Sequence, residues 1–208
     1  MAQPIDVAAG AATGPPPRRM TYQEFLRSDY VWAEWVDGEV VELSPASRRH
    51  QSVATWLVSL LLPFVESRRL GVVLSAPFQM KTGPALPGRE PDVIFVASER
   101  LGLLQENHLA GPADLAVEVV NPDSVTRDRE QKFREYEEGG VREYWLIDPL
   151  RQQAGFYVLE GGAYRPLPIG EKGIVRSHVL EGLWLKVDWL WQDPLPPVLT
   201  VLRAWGLV

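Results

Sequence analysis

Apolar and polar positions recur along this chain with two different periods. Val53, Trp56, Leu57, Leu60, Leu61 and Phe64 fall at i, i+3, i+4, i+7, i+8 and i+11, which makes one apolar helical face over about 47–69. Pro63 sits inside that stretch and is expected to kink it, since proline removes an amide donor and crowds the preceding turn. Short apolar runs bounded by turn residues predict strands at about 71–80, 91–97, 113–120 and 142–148. A polar stretch at about 126–138 predicts a helix between the last two strands, stopped by Gly139-Gly140. Thr21-Tyr22-Gln23-Glu24 has the capping-box spacing that starts a short helix. Asp37-Gly38 separates 31–36 from 39–43 and predicts a hairpin whose turn accepts positive φ. Further strands are expected at 155–159, 164–167 and 174–187, and Pro196-Pro197 opens a last apolar helix ending near Trp205.

The core order is therefore α-β-β-β-α-β. Helices on a mixed central sheet, with added β-hairpins, make this an α/β (α+β) domain. Residues 1–19 are rich in Ala, Gly and Pro and read as a disordered leader. The folded domain is expected over 20–190, with 191–208 as its C-terminal helical extension.

A length of 208 residues is enough for a full core, and 46% hydrophobic with 23% charged residues is a soluble globular composition. With no cysteine, disulfides, thiolate zinc sites and thiol nucleophiles are excluded together. That absence suits a reducing cytoplasm, the compartment expected here. The longest apolar stretch, 53–65, is interrupted by Ser59 and Pro63 and is too short for a bilayer, so no membrane role is expected. A net charge of -6 argues against broad coating of nucleic acid. It is compatible with a site whose carboxylates are offset by bound cations.

Two carboxylates stand out. Asp92 follows Pro91 at the entrance of an apolar strand, and Glu118 interrupts the run Leu115-Ala116-Val117-Glu118-Val119-Val120. A carboxylate among apolar neighbours is costly unless something pairs with it. Asp92 alone also fits a turn, and Glu118 alone fits the solvent face of a half-exposed strand. If the two strands pair, both carboxylates can face one point, with the main-chain carbonyl of Val119 completing the set. Such a group suits a hard divalent cation, Mg²⁺ or Mn²⁺, and phosphodiester hydrolysis. Asp128, Lys132 and Tyr136 share one helical stripe. Lys132 either aims an ammonium at the site or forms an ordinary solvated pair with Asp128. His50, in the first turn of the long helix, can reach the mouth of the site or rest at the core edge. Glu39, beside the Asp-Gly turn, can add a metal oxygen or stay solvated.

At these residues the chain resembles the PD-(D/E)XK nuclease superfamily, the restriction-endonuclease-like fold, and more narrowly the bacterial Uma-two family. The matching segments are Trp35-Val36-Asp37-Gly38-Glu39, positions 47–50 and 91–96, Glu118-Val119-Val120-Asn121-Pro122, and Asp128 through Lys132 and Tyr136 to Pro149. The resemblance covers about 20–190. It implies metal-dependent endonuclease cleavage of DNA, with Asp92 and Glu118 as ligands. Two departures stand out. The superfamily places a lysine two residues after the glutamate, where this chain has Val120. Migration of that lysine to the neighbouring helix occurs in the superfamily, which gives its role to Lys132. The narrower family usually has serine where Asn121 stands.

The expected function is thus a Mg²⁺- or Mn²⁺-dependent endonuclease. Its rivals are a catalytically inactive nuclease-fold module that binds protein or nucleic acid, and a metal-dependent hydrolase of a small phosphoester. A nuclease predicts an open groove with basic rims; a small substrate predicts a closed pocket. Trp184, Trp189, Trp191 and Trp205 fit core packing or a homodimer face, and on the binding reading they fit a partner surface.

Overall fold

The computed structural model describes residues 19–121 and 130–208. Residues 1–18, nearly all of the expected leader, lie outside it. So do 122–129, which carry Asp128 and the expected start of the second helix. The capping box forms as expected: Thr21 accepts from the Glu24 amide and Glu24 accepts in return, starting α1 (Tyr22–Leu26). Strands β1 (Ala33–Val36) and β2 (Glu39–Glu42) make the hairpin, with Asp37 at φ 51° and Gly38 at φ 88°. Two positive φ values in a two-residue loop match the twist of the flanking strands. Helix α2 (Arg48–Arg68) starts at Ser47, whose side chain accepts from the His50 amide, and Pro63 lies within it.

The remaining elements are β3 (Gly71–Ser75), β4 (Gln79–Lys81), β5 (Gly88–Arg89), β6 (Val93–Ala97), β7 (His108–Leu109), β8 (Leu115–Val119), α3 (Lys132–Gly139), β9 (Glu143–Asp148), β10 (Gln153–Glu160), β11 (Ala163–Pro166), β12 (Ile174–Arg176), β13 (Trp184–Lys186) and α4 (Val198–Ala204). Two expected strands divide. The run 71–80 becomes β3 and β4, which belong to different sheets. Pro77 falls between them and has no amide hydrogen to give a ladder. The run 174–187 becomes the antiparallel pair β12–β13.

The larger sheet has the order β11-β10-β9-β8-β6-β3, and a second sheet runs β2-β1-β5-β4-β7. In the larger sheet β8 and β9 are parallel and the other pairs antiparallel. Elements α2-β3-β6-β8-α3-β9 reproduce the order read from the sequence. Side chains alternate between faces. Val93, Phe95, Leu115, Val117 and Val119 pack with α2 and the C-terminal segment, whereas Ile94, Val96 and Ala116 pack with Tyr136 and Tyr144 on the other side. Trp189, Trp191 and Trp205 are partly buried against the first of these cores, with Trp205 edge-on to Phe64, and Trp184 packs on Trp189 and Trp205.

Strand register then places the two carboxylates. Val93 pairs with Val117 in the antiparallel β6–β8 ladder. One step outward, Asp92 and Glu118 stand opposite each other on the Ile94/Ala116 face, because directly opposed residues share a side.

Candidate active site

Asp92 lies just before β6, where the ladder ends. Its Oδ2 accepts from the Val119 amide at 2.7 Å, and its Oδ1 is 3.1 Å from Nε2 of His50. The helix cap sets the histidine: Ser47 opens α2 and places His50 in the first turn, facing the strand end. Asn121 supports that cap. Its Oδ1 accepts from the Ser47 amide at 3.3 Å and its Nδ2 donates to the Pro45 carbonyl at 3.4 Å.

Glu118 is buried and fully engaged. Lys132 Nζ donates to both of its oxygens at 2.9 Å, and the Tyr136 hydroxyl donates to Oε1 at 2.7 Å. Lys132 and Tyr136 are one turn apart on α3, so the stripe expected from the sequence does face the site. Burial, then the Glu118 charge, raises the Tyr136 hydroxyl well above its ordinary value, so it remains a donor. Lys132 is 3% exposed, which replaces the solvated surface pair with a buried ammonium.

That ammonium is shared with a residue the sequence reading missed. Glu34, fully buried on β1, places Oε1 3.0 Å from Lys132 Nζ. Its Oε2 accepts from Arg89 at 2.8 Å, and Arg89 also makes two bonds of 2.7 Å to Glu135 on α3. A charge chain therefore runs from β1 and β5 into α3 and ends at Glu118. Glu34 had the same signature as Glu118, a carboxylate between apolar strand neighbours Ala33 and Trp35. Its signal is weaker because the hairpin that carries it is short and close to the Asp37-Gly38 turn, where solvated glutamates are ordinary.

These groups line a cleft of about 640 Å³ between the β1–β2 hairpin, the first half of α2 and the ends of β6 and β8. Glu42, Glu90, Asp92 and Glu118 line it together with His50, Lys132, Val119 and Asn121. Among the described residues of this lining, Lys132 is the one lysine or arginine. Glu39 is not part of it: it accepts from Arg19 at 3.1 Å on the far end of the hairpin. Asp128 lies outside the described residues.

Glu90, also missed, precedes Pro91-Asp92. Gln79 donates to its Oε1 at 2.8 Å, while Oε2 is buried and has no hydrogen-bond partner among the described residues. Burial pushes its carboxyl up to about 7, with Glu34 adding to the rise against the opposing pulls of Gln79 and Lys132. A carboxyl whose folded value exceeds its unfolded one binds more protons when folded, so stability falls as pH rises between the two values. The window here is about 4.5 to 7, and the loss is on the order of 3 kcal/mol. Melting temperature followed from pH 5 to 8 should decline in the wild type and decline less in Glu90→Gln. An equal slope in both would remove Glu90 as its source.

The donors suit a hard cation of the magnesium type. Among the described residues no three His, Asp or Glu side chains form a ready metal cluster. Magnesium, however, commonly takes one or two carboxylates and keeps several waters. Asp92 and Glu118 meet that need from adjacent strand ends. Among the described residues around them, the carboxylates Glu34, Glu90, Asp92, Glu118 and Glu135 stand with two permanent cations, Arg89 and Lys132. The resulting negative excess favours a divalent ion.

The family model Uma2, described as "Putative restriction endonuclease", matches residues 21–188. Among solved structures, a "putative nuclease belonging to DUF820" from Anabaena variabilis ATCC 29413 superposes with a TM-score of 0.68 at 18% identity. The alignment covers 83% of this chain and 97% of that one, and it establishes a shared fold. No curated protein matches the chain. Among the described residues, no helix is long and apolar enough to cross a membrane.

Proposed function

The chain belongs to the Uma2 family, and on that premise we propose that it is a Mg²⁺- or Mn²⁺-dependent endonuclease hydrolysing DNA phosphodiester bonds. One observation carries the reading. Asp92 and Glu118 end adjacent strands on the same face and line one cleft with the buried ammonium of Lys132.

In this reading Asp92 and Glu118 hold the cation, with the Val119 carbonyl as a third oxygen. The cation supplies Lewis-acid polarisation of the phosphoryl oxygen and an activated water. The protein's own residues do the rest. His50 and the Val119 amide hold Asp92 in one rotamer, which keeps the ligand pre-oriented. Tyr136 fixes Glu118 from the opposite side. Lys132 offsets the negative charge that develops on the phosphoryl group or orients the water that attacks it. Its contact with Glu34 holds the ammonium from a second carboxylate besides Glu118.

Supercoiled plasmid, incubated with the purified chain and Mg²⁺, Mn²⁺ or chelator, tests this. Nicking with either cation and none with chelator is expected. Intact plasmid under all three conditions, alongside turnover of a small phosphodiester, would move the assignment to a small substrate.

A further inference from the structure

Trp32 stands at the mouth of the cleft in a conformation that the fold alone does not explain. Its φ is 59°, in the left-handed region. Tryptophan rarely adopts it and pays strain to do so, whereas glycine takes it freely. Core burial does not offset that strain, since Trp32 is 49% exposed. The backbone is nevertheless pinned: the Trp32 carbonyl accepts from the Leu43 amide at 2.8 Å, one step beyond the Ala33–Glu42 pair of the hairpin. Trp32 lines the cleft together with the apolar Leu43, Pro45, Ala46, Ala54 and Val58 and with the carboxylates of the site.

We propose that Trp32 is a stacking platform for an unpaired base of the DNA substrate, so that the cleft takes single-stranded DNA in preference to duplex; this rests on the nuclease reading above. Charge points the same way. Among the described residues that line the cleft, four carboxylates stand against one lysine, a lining that offers the phosphate backbone little attraction. Base stacking needs no net charge, and an aromatic platform contributes about tenfold to a hundredfold in affinity per base. A base paired in a duplex has both faces covered and cannot use it.

Binding of an end-labelled single strand, and of the duplex of the same sequence, can be followed by fluorescence anisotropy with Ca²⁺ present. The wild type, Trp32→Phe, Trp32→Ala and Trp32→Gly are compared. The wild type should bind the single strand more tightly than the duplex. Phe should stay within about threefold of it, whereas Ala and Gly should lose about tenfold on the single strand and little on the duplex. Trp32→Gly should also melt no lower than the wild type, because glycine relieves the strained φ. Wild-type affinity in Ala and Gly, or a marked drop in the melting temperature of Trp32→Gly, overturns the platform while leaving the nuclease reading intact. A wild type that binds neither DNA overturns the nuclease reading itself, and the platform with it.

Discussion

Lys132→Met should cost the folded protein about 3–5 kcal/mol when no cation is bound, and should lower turnover roughly a hundredfold. The stability loss follows from burial. Glu34 and Glu118 are 0% and 3% exposed, and the ammonium lies within 3.0 Å of both. Removing it takes a cation at hydrogen-bond distance from both buried carboxylates, while Glu34 keeps Arg89. A surface pair would have been worth at most about 1 kcal/mol. The kinetic loss has a separate origin, the removal of an electrostatic donor that acts on transition-state charge. Cation affinity should survive or increase, because Lys132 competes for the same Glu118 oxygens. Urea unfolding, Mn²⁺ calorimetry and plasmid turnover on one preparation separate these effects. A variant as stable and as active as the wild type would rule out the buried ammonium in both roles.

Asp92→Asn and Glu118→Gln should each abolish cation binding in calorimetry and reduce cleavage by at least about a hundredfold. Asparagine can still accept from the Val119 amide, so Asp92→Asn should keep its fold. It can gain stability as well, since it relieves repulsion among the carboxylates around the cleft. Glu118→Gln leaves Lys132 paired with Glu34 and retains a partner for Tyr136. Cleavage that persists unchanged in both variants would indicate another site or a contaminating nuclease.

Much of this site was legible in the sequence because each signal was local. Glu118 interrupts an apolar strand, Lys132 and Tyr136 share a helical stripe, and Ser47 caps the helix that delivers His50. Strand alternation then fixed which carboxylates could meet. The remaining parts depend on contacts between distant segments. Glu34 reaches Lys132 across 98 positions of chain and Arg89 across 55, and those contacts depend on the second sheet. That sheet was not foreseen, because 71–80 read as one strand and β5 is two residues long. For Glu39 the contacts match the solvated alternative, because proximity to the turn does not reveal which end of the hairpin faces the cleft. Glu90 was obscured by the stronger Pro-Asp signal beside it.

The central claim is that one cation held by Asp92 and Glu118 is the one used to cut DNA. Mn²⁺ can be titrated into the wild-type chain while its binding and the conversion of supercoiled plasmid are followed in parallel. The account predicts one high-affinity site and a nicking rate that rises with its occupancy and vanishes on chelation. A filled site that leaves both plasmid and single-stranded DNA intact, or nicking that continues in chelator, would contradict it.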